Sequence, residues 1–237
     1  MLPRISYCTA CKGRVSHLKK CLPESIRQNP ELDIEFVLVD YDCPEGTAHW
    51  ARQELGEHLD SGRLRLIQIF DQPLFHMARS KNTSHRRAKG EILINLDADN
   101  VATEVFTRHV RQRFVKGVDV LHFFDRGNFG GGCGRVAIRA AVYNAVGGYD
   151  EQMHDWGFDD LDLWKRCEAM GYVVECGELH LIEFIRHNDQ QRTQYTGTTD
   201  KMSSLSHARR IHHNNMRQGN YVANGGRSWG FLPPSFA

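Results

Sequence analysis

The sequence predicts an α/β fold, a largely parallel central sheet flanked by helices, on three observations. Short apolar runs alternate with longer amphipathic ones through most of the 237 residues, the pattern of successive βα units. Polar residues capable of chemistry recur where the apolar runs stop: Lys12 and Arg14 after the first, Asp40 and Asp42 after the second, Asp97 and Asp99 after the fourth. Open α/β sheets bind their ligands at those carboxyl ends. Finally, no internal repeat and no run of about 18 apolar residues points instead to a solenoid or a membrane span.

Arg4–Ala10 reads as the first strand and Ser16–Gln28 as a helix interrupted or restarted near Pro23. IEFVLV over Ile34–Val39 is a buried strand, and Thr47–Leu59 a helix behind it. Leu64–Ile69 alternates as a third strand, followed by a helix over Ala78–Ala88 and a wholly apolar strand over Ile92–Leu96. A helix over Thr103–Val115, a strand over Val118–Phe124 and a helix over Arg139–Ala145 come next, the last stopping at Gly147-Gly148. Asp159–Met170 is a further helix, with β-rich stretches at Tyr172–Glu175 and Leu179–Ile185. Beyond about Asn188 the chain turns polar, with one basic helix around Ser203–Arg217. The expected organisation is a domain over residues 1–188 and a C-terminal extension over 189–237, a lid or an acceptor-side segment.

Composition narrows the class. With 41% hydrophobic residues the chain can bury a sizeable core, and Lys+Arg 30 against Asp+Glu 29 argues against a protein that coats nucleic acid or acidic membrane. The opening MLPRISYCTACKGR lacks the apolar stretch of a secretory signal, so a soluble, cytoplasmic protein is expected. Seven scattered cysteines do not suggest a disulfide framework, and the lone Cys8-x-x-Cys11 reads as a strand carrying buried thiols.

A nucleotide-binding sheet must neutralise phosphate, yet neither G-x-x-x-x-G-K-[ST] nor G-x-G-x-x-G is present. Asp97-Ala98-Asp99 after ILINL offers another route: a carboxylate that holds a divalent cation, which bridges the phosphate oxygens. The alternative is an aspartate that caps the following helix.

The segment SKNTSHRRAKGEILINLDADN resembles the central part of the GT-A-fold, family 2-type glycosyltransferases, whose pattern is A-R-N-x-G, A-x-G, an apolar strand and D-x-D. Asn82, Ala88, Gly90, Asp97 and Asp99 match; Lys81 stands where arginine is usual and Ser84 where glycine is usual. Val39-Asp40 before Tyr41-Asp42 resembles the V-D-D whose aspartate reads uracil. The second half is similar to β-1,4-galactosyltransferases and chondroitin polymerases. Phe129-Gly130-Gly131, Gly147-Gly148-Tyr149, Trp156-Gly157-Phe158-Asp159-Asp160 and Ile185-Arg186-His187 stand for F-G-G, G-G-F, W-G-G-E-D and I-R-H. The likeness spans about residues 5–188 and implies a GT-A (Rossmann-like) fold, with Arg14 in the place of a nucleotide-contacting arginine.

What this resemblance implies is sugar transfer from a nucleotide diphosphate to an acceptor hydroxyl. Asp99 is the expected metal ligand, Asp97 lies beside it toward the ribose or in a supporting position, and His187 completes the set. Carboxylate with imidazole suits Mn²⁺ better than Ca²⁺, with Mg²⁺ as the alternative ion. Arg14, Asp40 and Lys81 are assigned to the donor. Asp160 aligns with the general base needed to deprotonate an alcohol, Asp159 with a residue that grips a sugar hydroxyl, and Trp156 with a platform for a sugar ring. Gly131 lies where backbone approaches the donor sugar. The plainer alternatives are a core tryptophan, acids that decorate a helix start, and a simple turn. Arg79, His85, Arg86 and Arg87 are expected mainly on a solvated face, and HARRIHHNNMR either over the nucleotide, against an acidic acceptor, or in solvent.

One base opposite a metal-held diphosphate implies a single displacement with inversion, since retention needs a second, nucleophilic carboxylate. The expectation is therefore a metal-dependent inverting transferase that uses a UDP-sugar, a hexose or N-acetylhexosamine donor. Q-x-x-R-W is absent, so single-sugar transfer is expected. The acceptor is open among glycan, lipid-linked sugar, small molecule, protein and modified nucleic acid. A nucleotidyltransferase, or a non-catalytic nucleotide- or carbohydrate-binding protein, is the alternative.

Overall fold

Strand alternation sorts the apolar side chains onto two faces of one sheet. In the strand Ile92–Asn95, Ile92 and Ile94 enter one core while Leu93 enters the other. In Val136–Arg139, Ala137 faces the first core and Val136 and Ile138 the second. This period of two is what a sheet covered on both faces requires. The computed structural model describes residues 2–124, 134–186, 193–198, 200–225 and 227–231.

The elements run β1 (Ile5–Cys11), α1 (Val15–Gln28), β2 (Ile34–Tyr41), α2 (Thr47–Glu54), α3 (Gly56–Asp60), β3 (Leu64–Ile69) and α4 (Met77–Arg87). There follow β4 (Ile92–Asn95), β5 (Asn100–Val101), α5 (Glu104–Val115), β6 (Val120–His122), β7 (Val136–Arg139) and α6 (Ala140–Ala145). The last are α7 (Asp159–Ala169), β8 (Val174–Cys176), β9 (Glu183–Phe184) and α8 (Lys201–Gln218). Seven strands form the main sheet in the order β3-β2-β1-β4-β7-β6-β8, and β5 pairs with β9 in a small second sheet. The sheet is mostly parallel, as the sequence predicts; β7 alone runs antiparallel to its two neighbours.

The departures from expectation have local causes. α1 is not broken at Pro23. The carbonyl that the proline leaves without a donor is that of Lys19, an exposed residue, so water can satisfy it while Leu18, Leu22 and Ile26 keep the inner face packed. The single helix expected over Thr47–Leu59 divides into α2 and α3 at Leu55, just before Gly56, a poor helix former. β7 was not anticipated, because its four residues pass straight into α6 with no turn residue to separate them. Leu179–Ile185 is a 3-10 turn and a two-residue strand rather than a longer strand. Cys8 and Cys11 are buried free thiols, as expected. Among the described residues no helix is long and apolar enough to cross a membrane.

The C-terminal segment is tied to the sheet domain at the Gly147-Gly148 turn. The Ala223 amide donates to the Val146 carbonyl at 2.9 Å, and Asn224 Nδ2 donates to the Gly147 carbonyl at 2.8 Å. Gly147 has φ +73°, and a Cβ there would lie 2.1 Å from the Ala223 carbonyl oxygen. Gly147→Ala therefore combines left-handed strain with a backbone clash and should cost about 1–3 kcal/mol. A urea titration checks this, and an unchanged midpoint would mean that neither the left-handed backbone at Gly147 nor the tail contact holds in solution.

Candidate active site

β1 lies between β2 and β4, and the chain winds outward from it in both directions, so a crevice opens at the carboxyl ends of β1 and β4. A cavity of about 700 Å³ occupies that position. Its walls bring together Arg14, Lys81, Asp97, Asp99, Trp156, Asp159 and Asp160, seven of the residues singled out from sequence.

Each acid is placed by a specific local device. β4 ends at Asn95, whose side chain donates to Asp97 Oδ1 at 3.0 Å and to the Gly134 carbonyl at 2.8 Å. α7 starts at Asp159, so Asp159, Asp160 and Asp162 occupy its first turn, where the helix dipole favours carboxylates. Asp97 and Asp160 face one another across Gly134. A Cβ on that glycine would lie 2.8 Å from an Asp97 oxygen and 3.3 Å from an Asp160 oxygen, so the absence of a side chain lets the strand pass between them.

Lys81 is the counter-charge to this acid group. Its ammonium is buried, 2.7 Å from Asp159 Oδ2 and 2.8 Å from Asp160 Oδ1, with the Tyr149 ring centre 5.0 Å away. Burial disfavours the ammonium, but Asp159 and Asp160 outweigh it and hold Lys81 above the usual lysine range. The two acids are not equivalent. The side chain of Asp159 is 2% exposed and that of Asp160 is 18% exposed, so only Asp160 presents appreciable surface to an incoming group. Burial and the Asp159 charge push Asp160 well above the usual carboxylate range, against the lowering effect of Lys81.

Asp97 is raised by burial and by Asp99, and is opposed by Lys81 and by Arg135 behind it. Arg135 is completely buried, donates to the Asn100 side chain and lies 4.9 Å from the Phe106 ring centre. Burial lowers its pKa to about 10, against the neighbouring Asp97 charge. Two cations nearby do not bring Asp97 back to the usual carboxylate range, because burial outweighs them. The Asp97 and Asp99 carboxylates both line the cavity, and hard oxygens of this kind would suit Mn²⁺ or Mg²⁺. Asp99 does not cap α5: Thr103 does, its hydroxyl accepting from Phe106 N at 3.1 Å. Among the described residues no three acid, histidine or cysteine side chains cluster as a metal cage. His187 and Gly131 lie outside the described residues. The chain before His187 runs alongside the D-x-D segment: Asn100 pairs with Phe184, and Ile185 N donates to the Asp99 carbonyl at 2.8 Å.

Asp40 is not among the residues that line the cavity. Its two carboxylate oxygens accept from Cys43 N and Ala48 N, each at 2.9 Å, and so pin the loop that leads into α2. Asp159 lines the cavity, but its carboxylate is engaged by Lys81. Asn82 is wholly buried and joins Tyr143, Tyr149 and Glu151 by hydrogen bonds, so this motif residue organises the site from behind. The basic helix α4 is not a solvated face: Ser80 through His85 are buried, Arg79 pairs with Glu151 and Arg86 binds the Trp229 carbonyl. Asp162 belongs to the framework, bonded to Arg166 and to His212 of α8.

Sequence reasoning did not find the wall built by Tyr195, Thr196, Lys201, Met202, Leu205 and Arg209. The only signal was the basic run in the tail, which does not specify what it faces.

Residues 113–188 match the family model described as the N-terminal domain of galactosyltransferase. No curated protein sequence matches the chain. Among solved structures it is similar to the mannosyltransferase PcManGT from Pyrobaculum calidifontis, in complex with GDP-Man and Mn²⁺. The TM-score is 0.63 and the identity 22%, over 75% of this chain and 55% of that one. It is also similar to S. aureus TarS 1-349 in complex with UDP, with a TM-score of 0.61 and 12% identity, over 79% of this chain and 62% of that one. The same TarS fragment with UDP-GlcNAc gives a TM-score of 0.56. The chain thus spans less than two thirds of each of these relatives. The resemblance to GT-A-type glycosyltransferases read from the motifs is borne out, and the fold is GT-A.

Proposed function

We propose that the chain is a metal-dependent, inverting glycosyltransferase that moves a hexose or N-acetylhexosamine from a UDP-sugar to an acceptor hydroxyl. The observation that carries this reading is the meeting of Asp97 and Asp160 across Gly134, in a cavity at the switch point of a GT-A sheet. The nucleotide sugars and Mn²⁺ held by the structural relatives support it.

In this reading Asp99, with His187 from the segment beyond β9, holds the metal, and Asp97 lies beside it toward the ribose. The metal, when bound, neutralises charge that develops on the leaving diphosphate. Arg14, at the end of β1, serves the nucleotide. Asp40 serves it indirectly, by fixing the loop after β2. Gly131 is assigned to the backbone that approaches the donor sugar. Asp160 takes the proton of the acceptor hydroxyl as its oxygen bonds to the anomeric carbon, while the bond from that carbon to the diphosphate oxygen breaks and UDP departs. Asp159, held by Lys81, orients the pair. The Asp159 side chain is only 2% exposed, too covered to attack a donor as a nucleophile, which favours single displacement.

The test is a calorimetric titration of UDP with Mn²⁺ or EDTA, followed by a hydrolysis panel of UDP-glucose, UDP-galactose, UDP-GlcNAc, UDP-GalNAc and GDP-mannose. UDP should bind at least about tenfold more tightly with Mn²⁺, and Asp99→Ala should remove that gain. Binding that is indifferent to EDTA would sink the metal assignment, and absence of hydrolysis with every donor would sink the transferase.

A further inference from the structure

The cavity wall formed by α8 has a chemistry of its own. Lys201, Leu205 and Arg209 are spaced four residues apart, so they share one face of the helix, and all three line the cavity. The helix sequence, KMSSLSHARRIHHNNMRQ, contains no acid. Opposite it, Trp156 and Phe158 flank Gly157. Lys201 Nζ is 4.7 Å from the Trp156 ring centre, and the Arg209 guanidinium carbon is 5.7 Å from that of Phe158. The loop therefore presents two aromatic faces, each met by a cation from α8.

Phe158 gives a reason to regard this as built for a ligand. Its φ is +72° and its ψ −18°, a left-handed conformation that costs a side-chain-bearing residue about 1–2 kcal/mol and that glycine would adopt freely. The His212 ring packs 5.3 Å from its ring and holds it in place. The strain is retained to put an aromatic ring where the backbone calls for glycine. Among the described residues no carboxylate pairs with Arg209, and the nearby Asp159 and Asp160 are taken by Lys81.

We propose that the Trp156–Phe158 loop and the Lys201–Arg209 face of α8 form an acceptor subsite for a sugar that carries an anionic group, a carboxylate or a phosphate. The apolar face of the ring lies on the aromatic side chains, and the acid accepts hydrogen bonds from the guanidinium, whose planar fork matches it. This rests on the transferase reading. Phe158 is two residues before Asp160, the group assigned to the acceptor hydroxyl, which places the subsite on the acceptor side and not at the D-x-D segment.

The experiment measures binding to the full chain in the presence of UDP and Mn²⁺. The probes are p-nitrophenyl β-D-glucuronide against p-nitrophenyl β-D-glucoside, and glucose 6-phosphate against glucose. At least one charged probe should bind about tenfold or more tightly than its neutral partner, the pair that shows it naming the acid. Arg209→Glu should bring that ratio to within about twofold, whereas Arg210→Glu, the same charge change outside the cavity lining, should keep it. Equal binding of charged and neutral probes, or no saturable binding of either charged probe, overturns the subsite. So does a preference lost equally in both variants, which would show a long-range field, or an equal loss of UDP affinity in Arg209→Glu, which would put the cation on the donor. The UDP titration of the wild type separates the two claims: normal Mn²⁺-dependent binding without charge preference removes the subsite alone, and no such binding removes both.

Discussion

Asp160→Asn should lower the rate of sugar transfer by about 10²–10⁴-fold, the usual contribution of a positioned general base, while Mn²⁺-dependent UDP affinity stays within about twofold of wild type. The substitution keeps shape and polarity and removes the capacity to accept a proton, leaving Asp159 as the carboxylate that pairs with Lys81. Asp160 is the right target because it alone of the α7 acids is both partly exposed and turned into the cavity; Asp159 is covered, and Asp162 is bonded to Arg166 and His212. Its raised pKa gives the measurement a second axis. A base must be deprotonated to act, so the wild-type rate should climb with pH through an inflection above the normal carboxylate range, a displacement caused by burial and Asp159. In the asparagine variant that limb should vanish. A variant that keeps wild-type turnover, or the same acid limb, would remove Asp160 from the chemistry.

Legibility of the fold followed the length and amphipathicity of each element. β1, β2 and β4 were readable because buried parallel strands demand continuous apolar runs such as IEFVLV, β3 because its apolar residues alternate, and α4 and α5 because their ends carry cap or charge signals. β7 was not, since four residues shared between two cores leave no periodicity to detect. The acids of the site were readable because unpaired carboxylates next to apolar runs need an explanation. Their electrostatic balance was not. Lys81 is a motif position in the sequence, and only folding shows that its charge is spent on Asp159 and Asp160, some 78 and 79 residues away along the chain. Asp40 shows the opposite limit: the sequence places it at a strand end, but not which backbone amides it will serve.

Lys81→Met should be strongly destabilising, costing about 3–5 kcal/mol at neutral pH. It removes the ammonium from a buried group of acids and leaves Asp159 and Asp160, with Asp97 close by, to repel one another where water screens poorly. The pH dependence distinguishes this from a packing defect. A carboxylate whose pKa is raised in the folded state binds protons there that the unfolded chain has released, so its ionisation makes stability fall as pH rises from about 4 through the folded value. Lys81 opposes that rise in Asp160, so its loss deepens the fall. The deficit of the methionine variant against wild type should therefore shrink as the pH is lowered and the acids become neutral; Lys81 itself, raised above the lysine range, does not titrate in that window. Urea titrations at pH 4.5 and 7.5 measure the difference. A deficit of equal size at both would mean that lost packing against Tyr149, and not charge, was the cause. Should the methionine variant fail to fold, Lys81→Arg, the residue usual at this motif position, retains the charge and should recover much of the loss, limited by the larger guanidinium in a space bounded by the Tyr149 ring.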